Sequence, residues 1–282
     1  MTAAISTTTC RQTGADPTAD PLFNRAWSFE VGDGPVVAAA IHSGHDVRSD
    51  VREWLAVPED DRFREEDPLT ALLATVGDSA IRVFRSRFEV DLNRSREEAV
   101  PLDPTASWGL EIWRAPPPAR VIERSLAEYD RFYHDLKQFV DGLVVNWHSV
   151  LILDIHSYNH RRGGPESPAA SAIRNPEINV GTGTMERDRW ASLVDRFIDT
   201  LRLQDFRKQP LDVRENVKFK GRQFPQWLHT NYPTNVCVLS LELKKIFMDE
   251  WRGTASIPAL EELRVALQNA VNATRQELAR IR

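Results

Sequence analysis

The chain has 282 residues, with 36 basic and 41 acidic side chains and a formal net charge of −5. This balance argues against a nucleic-acid-binding surface, which needs a basic face. With 41% hydrophobic and 27% charged residues, the composition is that of an ordinary globular protein long enough to bury a large core. No run of the sequence approaches the ~18 apolar residues that span a membrane.

The cysteines and the N-terminus bear on location and domain organisation. The chain has only two cysteines, Cys10 and Cys237, which is too few for a disulfide framework. We therefore expect the protein to reside in a reducing cytoplasm. Residues 1–20 are rich in Thr and Ala and lack the basic and apolar regions of a signal peptide. We expect them to form a disordered tail, and residues 21–282 to form a single domain.

The first part of the chain predicts one buried strand and one helix. Val36 to Ile41 is wholly apolar and predicts a central strand, which stops at the polar run His42-Ser43-Gly44-His45. Residues 47–66 are charge-dense and predict a loop with a helical turn. Asp67-Pro68 predicts a helix start, with Asp67 as its N-cap.

The rest of the chain alternates between strand and helix patterns. Apolar runs predict strands over residues 81–93, 150–153 and 236–243, and helical spacing predicts helices over 122–140, 190–201 and 260–278. Residues 163–183 are rich in glycine and proline and predict a long functional loop. This alternation predicts an α/β protein with a single mixed sheet and helices on both faces.

Two histidines in matching positions suggest a metal site. His42 and His156 each follow an apolar strand and are each followed by serine. One such histidine is more often a hydrogen-bonded core residue, but two favour a metal centre that also needs a carboxylate. Asp154 lies two residues before His156, on the same strand face, where it can orient that ligand.

The third ligand stays open between several residues. Glu65, Glu66 and Asp67 precede a predicted helix, and each can reach a cation. Asp67 already has an explanation as an N-cap, whereas His45 lies at an acceptable ligand spacing after His42. Our metal candidates are therefore His42, His156, Glu66 and Asp67, with His45 as a further possibility.

Other polar groups predict substrate binding and catalysis. Asn93 and Arg94 can hold a carboxylate, and Arg162 and Tyr158, just beyond His156, are further substrate-binding candidates. Glu242 lies in the apolar strand Val236 to Leu243, where a charge is costly unless it has a partner or a task. Beside a metal it would serve as a general base.

Four short motifs occur in a characteristic order. They are H-S-G at His42 to Gly44, D-L-N-R at Asp91 to Arg94, D-I-H-S at Asp154 to Ser157, and L-E-L around Glu242. In this order the chain resembles the N-formylglutamate amidohydrolase family over roughly residues 25–255, and that family is itself similar to the zinc carboxypeptidases.

The resemblance implies a phosphorylase/hydrolase-like, zinc-carboxypeptidase-like sheet that carries one Zn2+. It implies zinc ligands at His42 and His156 with an acidic third ligand from Glu65 to Asp67. It further implies a carboxylate clamp at Asn93 and Arg94, a general base at Glu242 and an arginine, for which we take Arg161, at the oxyanion. The implied substrate is a small N-acyl amino acid such as N-formylglutamate.

Some features depart from the family pattern. Where the carboxypeptidases carry a glutamate three residues after the first histidine, this chain has His45. Residues 175–185 and 211–216 do not map onto the known enzymes. Two alternatives therefore stay open: a metallocarboxypeptidase or amidase that acts on a peptide or glutamyl conjugate, and a non-catalytic binding module.

Overall fold

The computed structural model describes residues 25–281, so the tail predicted for residues 1–20 lies outside the described part. The strands in chain order are β1 (Trp27–Glu30), β2 (Val36–Ala40), β3 (Ser79–Val83), β4 (Val150–Tyr158), β5 (Ile178–Gly181), β6 (Asp205–Phe206), β7 (Gln209–Pro210), β8 (Val213–Glu215), β9 (Val236–Lys244), β10 (Met248–Asp249) and β11 (Thr254–Ala255). The α-helices are α1 (Ser49–Arg52), α2 (Glu59–Glu65), α3 (Thr70–Leu73), α4 (Ala119–Trp147), α5 (Ala191–Arg202), α6 (Gln223–Asn231) and α7 (Ile257–Arg280). Short 3-10 helices occupy Ala74–Val76, Arg96–Glu98, Pro104–Ser107 and Ala172–Arg174.

Seven of these strands form one mixed sheet in the order β1-β3-β2-β4-β9-β5-β8. The central strands β3, β2, β4 and β9 are parallel, whereas β1 and β5 pair antiparallel with their neighbours β3 and β9. The predicted mixed α/β sheet is thus confirmed. None of the helices in residues 25–281 is long and apolar enough to cross a membrane.

The sheet buries both of its faces, which explains why its central strands are continuously apolar. Along β4, Leu151, Leu153 and Ile155 pack with α5 and α7, whereas Val150 and Ile152 pack with α4 and α6. Each such aliphatic side chain contributes about 1.5–3 kcal/mol when fully buried. Helices on both faces, as predicted, therefore hold β4 and β9 rigidly in place.

Polar side chains replace apolar ones where β4 and β9 approach their carboxyl ends. Asp154 and His156 continue the face of β4 that packs against α4 and α6, because side chains two apart share a face. Their register partners on β9 are Ser240 and Glu242. Two polar pairs thus stand side by side at the carboxyl end of the sheet, where ligands bind in α/β folds.

Besides the loop predicted over residues 163–183, which contains β5, three local predictions are wrong. The strand predicted over residues 81–93 ends at Val83. Beyond it the chain leaves the sheet because Arg85 turns to a buried ion pair with Glu128 of α4, 3.1 Å away. Residues 47–66 contain two helices, α1 and α2, instead of one helical turn.

The third error concerns the helix predicted to start at Asp67. Helix α3 begins only at Thr70, after Leu69 adopts a left-handed conformation with φ 71°. The Asp67 side chain makes no N-cap hydrogen bond to this helix. The N-cap explanation of Asp67 is therefore wrong, and its carboxylate is available for another role.

The two segments that the family pattern did not explain pack together beside β9. Residues 211–216 supply β8, which pairs in parallel with β5, and Asn216 accepts a hydrogen bond from the Thr182 backbone at 2.9 Å. Gly181 and Gly183 let residues 220–221 cross β5 closely, since a Cβ on either glycine would approach that backbone within about 3 Å. These segments shape the side of the sheet next to Glu242.

Candidate metal centre and active site

A buried group of two imidazoles and one carboxylate lies at the carboxyl end of the sheet. One ligand atom from each of His42, Asp67 and His156 lies within 4.8 Å of the others. Asp67 Oδ2 is 3.0 Å from His156 Nδ1 and 3.5 Å from His42 Nδ1. The residues come from the end of β2, the turn after α2, and β4, so this group forms only when the sheet is assembled.

The outer nitrogen of each imidazole faces a second carboxylate. His42 Nε2 lies 2.7 Å from Asp91 Oδ1, and His156 Nε2 lies 2.8 Å from Asp154 Oδ1. All four residues are at most 3% exposed, so water does not screen these contacts. This arrangement orients both Nδ1 atoms inward, as outer carboxylates do for histidines that bind a metal. The orienting role predicted for Asp154 fits this geometry.

The histidines and carboxylates of this group shift one another's pKa values strongly. Burial alone would raise the pKa of Asp67, but the neighbouring imidazoles of His156 and His42 outweigh burial and hold that pKa far below its usual value. Burial would lower the pKa of His156, but Asp154 and Asp67 outweigh it and raise that pKa well above its usual value. Without a metal, a proton on His156 thus balances the carboxylates.

The chemistry of the donor set fits a divalent metal such as zinc. His42 Nδ1 is buried and has no hydrogen-bond partner among the described residues, which is costly for an ordinary core histidine. Two imidazole nitrogens and one carboxylate are one of the three-ligand sets found in catalytic zinc sites, which leave a fourth position for water or substrate.

Glu242 lies beside this group as the register partner of His156. Burial raises the pKa of Glu242 to about 8, and Asp67 and Asp154 add to that rise although His156 opposes it. A carboxyl group that titrates near neutral pH next to a candidate metal is suited to accept and return a proton.

The loop after β3 brings the D-L-N-R motif to the same place. Asp91 reaches His42, and Asn93 Nδ2 lies 3.5 Å from His156 Nε2 while its Oδ1 accepts a 3.0 Å hydrogen bond from the Phe224 backbone. Arg94 Nε donates to Asp91 Oδ2 at 3.0 Å. Asn93 and Arg94 therefore lie at the centre. A buried loop places them there, whereas the sequence predicted that they close a strand.

Sequence reasoning missed Arg87. Its guanidinium donates to Asp91 Oδ2 at 2.8 Å, and Asp91, Asp67 and Glu242 all raise its pKa against the lowering effect of burial. Arg87 therefore brings a permanent positive charge close to the candidate centre. The signal in the sequence was its position four residues before Asp91, but only the fold shows that both point inward.

Sequence reasoning also missed Lys245, which is 1% exposed. Its ammonium group donates to the backbone carbonyls of Arg64 and Glu66 at 2.6 and 2.7 Å. These carbonyls belong to the turn that leads into Asp67. Lys245, directly after β9, therefore anchors the backbone that presents Asp67.

The other acidic candidates point away from the centre. Glu66 lies 2.5 Å from His45 Nδ1 and accepts a hydrogen bond from Ser86, so both residues face a separate polar cluster. The hydrogen bond with Glu66 raises the pKa of His45. Glu65 pairs with Arg162 at 3.1 Å. Of the predicted acidic ligands, the structure brings only Asp67 together with both histidines.

The residues after β4 point in different directions. The Tyr158 hydroxyl donates a hydrogen bond to the Pro176 carbonyl, and the Lys218 ammonium lies 4.7 Å from the centre of the Tyr158 ring. Arg162 is 47% exposed at its side chain and pairs with Glu65. Arg161 lines a surface cavity together with Arg207. The structure does not bring Arg161 to the His42–Asp67–His156 group.

The sheet and this centre define an α/β protein with a buried group of two histidines and one aspartate that could hold a metal ion. A sequence model of the N-formylglutamate amidohydrolase family matches residues 34–248, and the chain belongs to this family. It is therefore an amidohydrolase, an enzyme that acts on a carbon–nitrogen bond. No curated protein matches the chain.

Solved structures show the same fold. The crystal structure of N-formylglutamate amidohydrolase from Ralstonia eutropha JMP134 is similar with a TM-score of 0.66 at 18% identity, covering 89% of this chain and 99% of that chain. The crystal structure of the gene product Atu2144 from Agrobacterium tumefaciens is similar with a TM-score of 0.64 at 16% identity, covering 88% and 96%.

Proposed function

We propose that this chain hydrolyses the amide bond of an N-acyl amino acid such as N-formylglutamate, with one Zn2+ held by His42, Asp67 and His156. The observation that carries this proposal is the buried three-ligand group with Glu242 beside it. Family membership supports the amide-cleaving chemistry. The further kinship with zinc carboxypeptidases stays a prediction.

The residues present fit the metal. Two inward Nδ1 atoms and one carboxylate oxygen leave a fourth position, and Asp91 and Asp154 would keep both imidazoles oriented. When bound, Zn2+ would lower the pKa of a water molecule and polarise the substrate carbonyl. The side chains around it would then position the substrate and move the proton.

Glu242 would act as the general base. Its pKa of about 8 in the metal-free chain reflects burial among carboxylates, and an added cation would lower that pKa toward neutrality. In residues 25–281 its carboxylate has no hydrogen bond or ion pair, so it is free to take a proton from water and return it to the leaving amine.

The other polar residues of the site have two tasks in this proposal, namely binding the substrate and stabilising the oxyanion. Asn93 and Arg94 would hold the carboxylate of the substrate, and Tyr158 and Arg162 stay predictions as further substrate-binding residues. The oxyanion role first assigned to Arg161 passes to Arg87, because Arg87 lies among Asp91, Asp67 and Glu242 whereas Arg161 lines a separate cavity. A fixed positive charge next to the developing oxyanion stabilises the transition state.

Metal analysis and an activity assay test the proposal together. The purified protein should contain about one equivalent of zinc or take it up after chelation. It should release free glutamate from N-formylglutamate only in the loaded form. A protein that binds no divalent metal, or that cleaves no N-acyl amino acid when loaded, would refute the proposal. We further expect a cytoplasmic enzyme whose partner is this small molecule.

A further inference from the structure

Three polar side chains lie in one row across the neighbouring strands β4, β9 and β5. His156 is the register partner of Glu242, and Glu242 is in turn the register partner of Asn179. Residues paired in this way project from the same face of a sheet. The fully buried Asn179 therefore lies next to the proposed base, on the side away from His156. Any group that Asn179 holds is close to the candidate active site.

Asn179 fixes the backbone of the segment between β8 and α6. Its Oδ1 accepts hydrogen bonds from the N–H groups of Lys218 and Phe219 at 2.8 and 3.3 Å, and its Nδ2 donates to the Phe219 carbonyl at 2.8 Å. The Phe219 ring packs against the Tyr158 ring, with 5.6 Å between their centres. Tyr158 lies two residues after His156, on the same face of β4. Lys218 and Phe219 are therefore held beside the candidate active site.

The Lys218 side chain is also held in a defined position. Its ammonium group donates a hydrogen bond to Asn175 Oδ1 and lies 4.7 Å from the centre of the Tyr158 ring. Burial and the positive charge of Arg162 lower the pKa of Lys218, whereas the carboxylate of Glu242 raises it. The ammonium group is thus close enough to the proposed base for the two charges to interact.

Lys218 has a charge that the described part of the chain does not neutralise. Within residues 25–281 no carboxylate forms an ion pair with its ammonium group, although the residue is exposed. Arg162, in contrast, is paired with Glu65. An ammonium group has three donors, and Asn175 accepts from one of them. The remaining donors can bind an anionic group of a ligand.

We propose that Lys218 is a specificity-determining residue that binds the side-chain carboxylate of an acidic N-acyl amino acid. The α-carboxylate then lies against Asn93 and Arg94 in the loop after β3, and the second carboxylate lies against Lys218 in the segment after β8. A substrate with a neutral side chain leaves Lys218 without a counter-charge, so it binds more weakly. This inference rests on the proposed amidohydrolase function.

Two substrates of the same shape test the role of Lys218. N-formyl-L-glutamate and N-formyl-L-glutamine differ in the charge of the side chain. The zinc-loaded wild-type enzyme should have a kcat/KM for the glutamate compound at least about ten-fold above that for the glutamine compound, mainly through a lower KM. Cleavage of both compounds with equal kcat/KM would overturn the role of Lys218 and leave the proposed function intact.

A charge-removing variant assigns the preference to this residue. Lys218→Met alters an exposed side chain and should lower kcat/KM for the glutamate compound by at least about ten-fold, through KM, while the glutamine value stays within about two-fold. The control is Lys208→Met, which removes an exposed charge in the turn between β6 and β7, beside α7. It should change neither value. A Lys218→Met enzyme that keeps the wild-type ratio between the two substrates would overturn the proposal.

A binding measurement separates this proposal from the proposed chemistry if neither compound is cleaved. L-Glutamate, which the enzyme cannot hydrolyse, and L-glutamine are titrated calorimetrically into the zinc-loaded protein. The wild type should bind L-glutamate at least about ten-fold more tightly, and Lys218→Met should lose this difference. The chemistry then fails, but the assignment of Lys218 stands. No difference between the two ligands in the wild type would overturn that assignment as well.

Discussion

His156 and Glu242 are register partners on the neighbouring parallel strands β4 and β9, so their side chains leave the sheet side by side on one face. This relationship places a proposed metal ligand and a proposed base on two neighbouring strands in the interior of the sheet. Both strands are buried on both faces and nine residues long. A proton acceptor fixed in this way needs no rearrangement before it acts.

The first prediction concerns that acceptor. Glu242→Gln keeps the shape of the side chain but cannot accept the proton, so kcat should fall by about 10²–10⁴-fold. Zinc content should not change, because Glu242 is not among the proposed ligands. Steady-state kinetics and metal analysis of the same preparation check both points. Glu261→Gln, on the exposed surface of α7, is the control; full activity in Glu242→Gln would exclude the role of base.

The second prediction separates two adjacent acidic residues. Asp67→Asn removes the carboxylate between His42 and His156 and should weaken zinc binding by at least about 10²-fold, more than the loss of an outer carboxylate. Glu66→Gln should retain zinc, because Glu66 faces His45 and Ser86. Competition with a fluorescent chelator measures both affinities. Retention of zinc by Asp67→Asn together with loss by Glu66→Gln would reverse the assignment.

The strands and the histidines could be predicted from the sequence because the signal for them is local. An apolar run followed by a polar one is visible within ten residues, and this sufficed for β2, β4 and β9. His42 and His156 could be paired because each follows such a run. The period-two alternation of side chains along β9 likewise predicts that Glu242 lies on the face opposite Leu241 and Leu243, which pack into the core beside α5 and α7.

The choice between Glu66 and Asp67 could not be made from the sequence, because it depends on contacts between distant residues. Asp67 turns inward because Lys245, far along the chain, fixes the preceding carbonyls. Arg87 and the end of β3 were missed for the same reason. The chain leaves the sheet there to form ion pairs with α4, and an alternating pattern of charged and apolar residues does not reveal those partners.

The third prediction separates the tasks of two arginines. Arg87→Met should lower kcat by about 10²–10³-fold with little change in KM, because the oxyanion charge exists only in the transition state. Arg94→Met should instead raise KM, because the substrate carboxylate is present throughout the reaction. Each variant loses one ion pair with Asp91, so the two substitutions disturb the structure around Asp91 in a similar way. Identical kinetic effects would contradict this division of roles.

The fourth prediction tests the anchor before Asp67. Lys245→Met leaves the carbonyls of Arg64 and Glu66 without their donor and should lower the free energy of unfolding by roughly 1–3 kcal/mol. Zinc affinity should fall as well, since the turn that presents Asp67 is released. Chemical denaturation and chelator competition measure the two effects. Lys244→Met, one residue earlier on β9, is the control. A stability loss with unchanged zinc affinity would make Lys245 purely structural.

The fifth prediction concerns the protons that the protein releases when zinc binds. The pKa of His156 is raised well above 6.5 because Asp154 and Asp67 outweigh burial, so the metal-free chain carries a proton on His156 at neutral pH. A metal ligand must be neutral, so zinc binding should expel that proton and zinc affinity should rise with pH through this raised pKa. Calorimetry at pH 7 in buffers of different ionisation enthalpy counts the protons released.

Asp154→Asn supplies the decisive comparison, because Asp154 is the largest influence that raises the pKa of His156. The variant should release fewer protons per zinc at pH 7, while its zinc affinity falls by about 10–100-fold through loss of the orienting carboxylate. The metal-free wild type should also lose stability as the pH rises from 6.5 through the raised pKa, since only the folded state holds the proton in that range. Equal proton release by both proteins would contradict the role of Asp154 in holding that proton on His156.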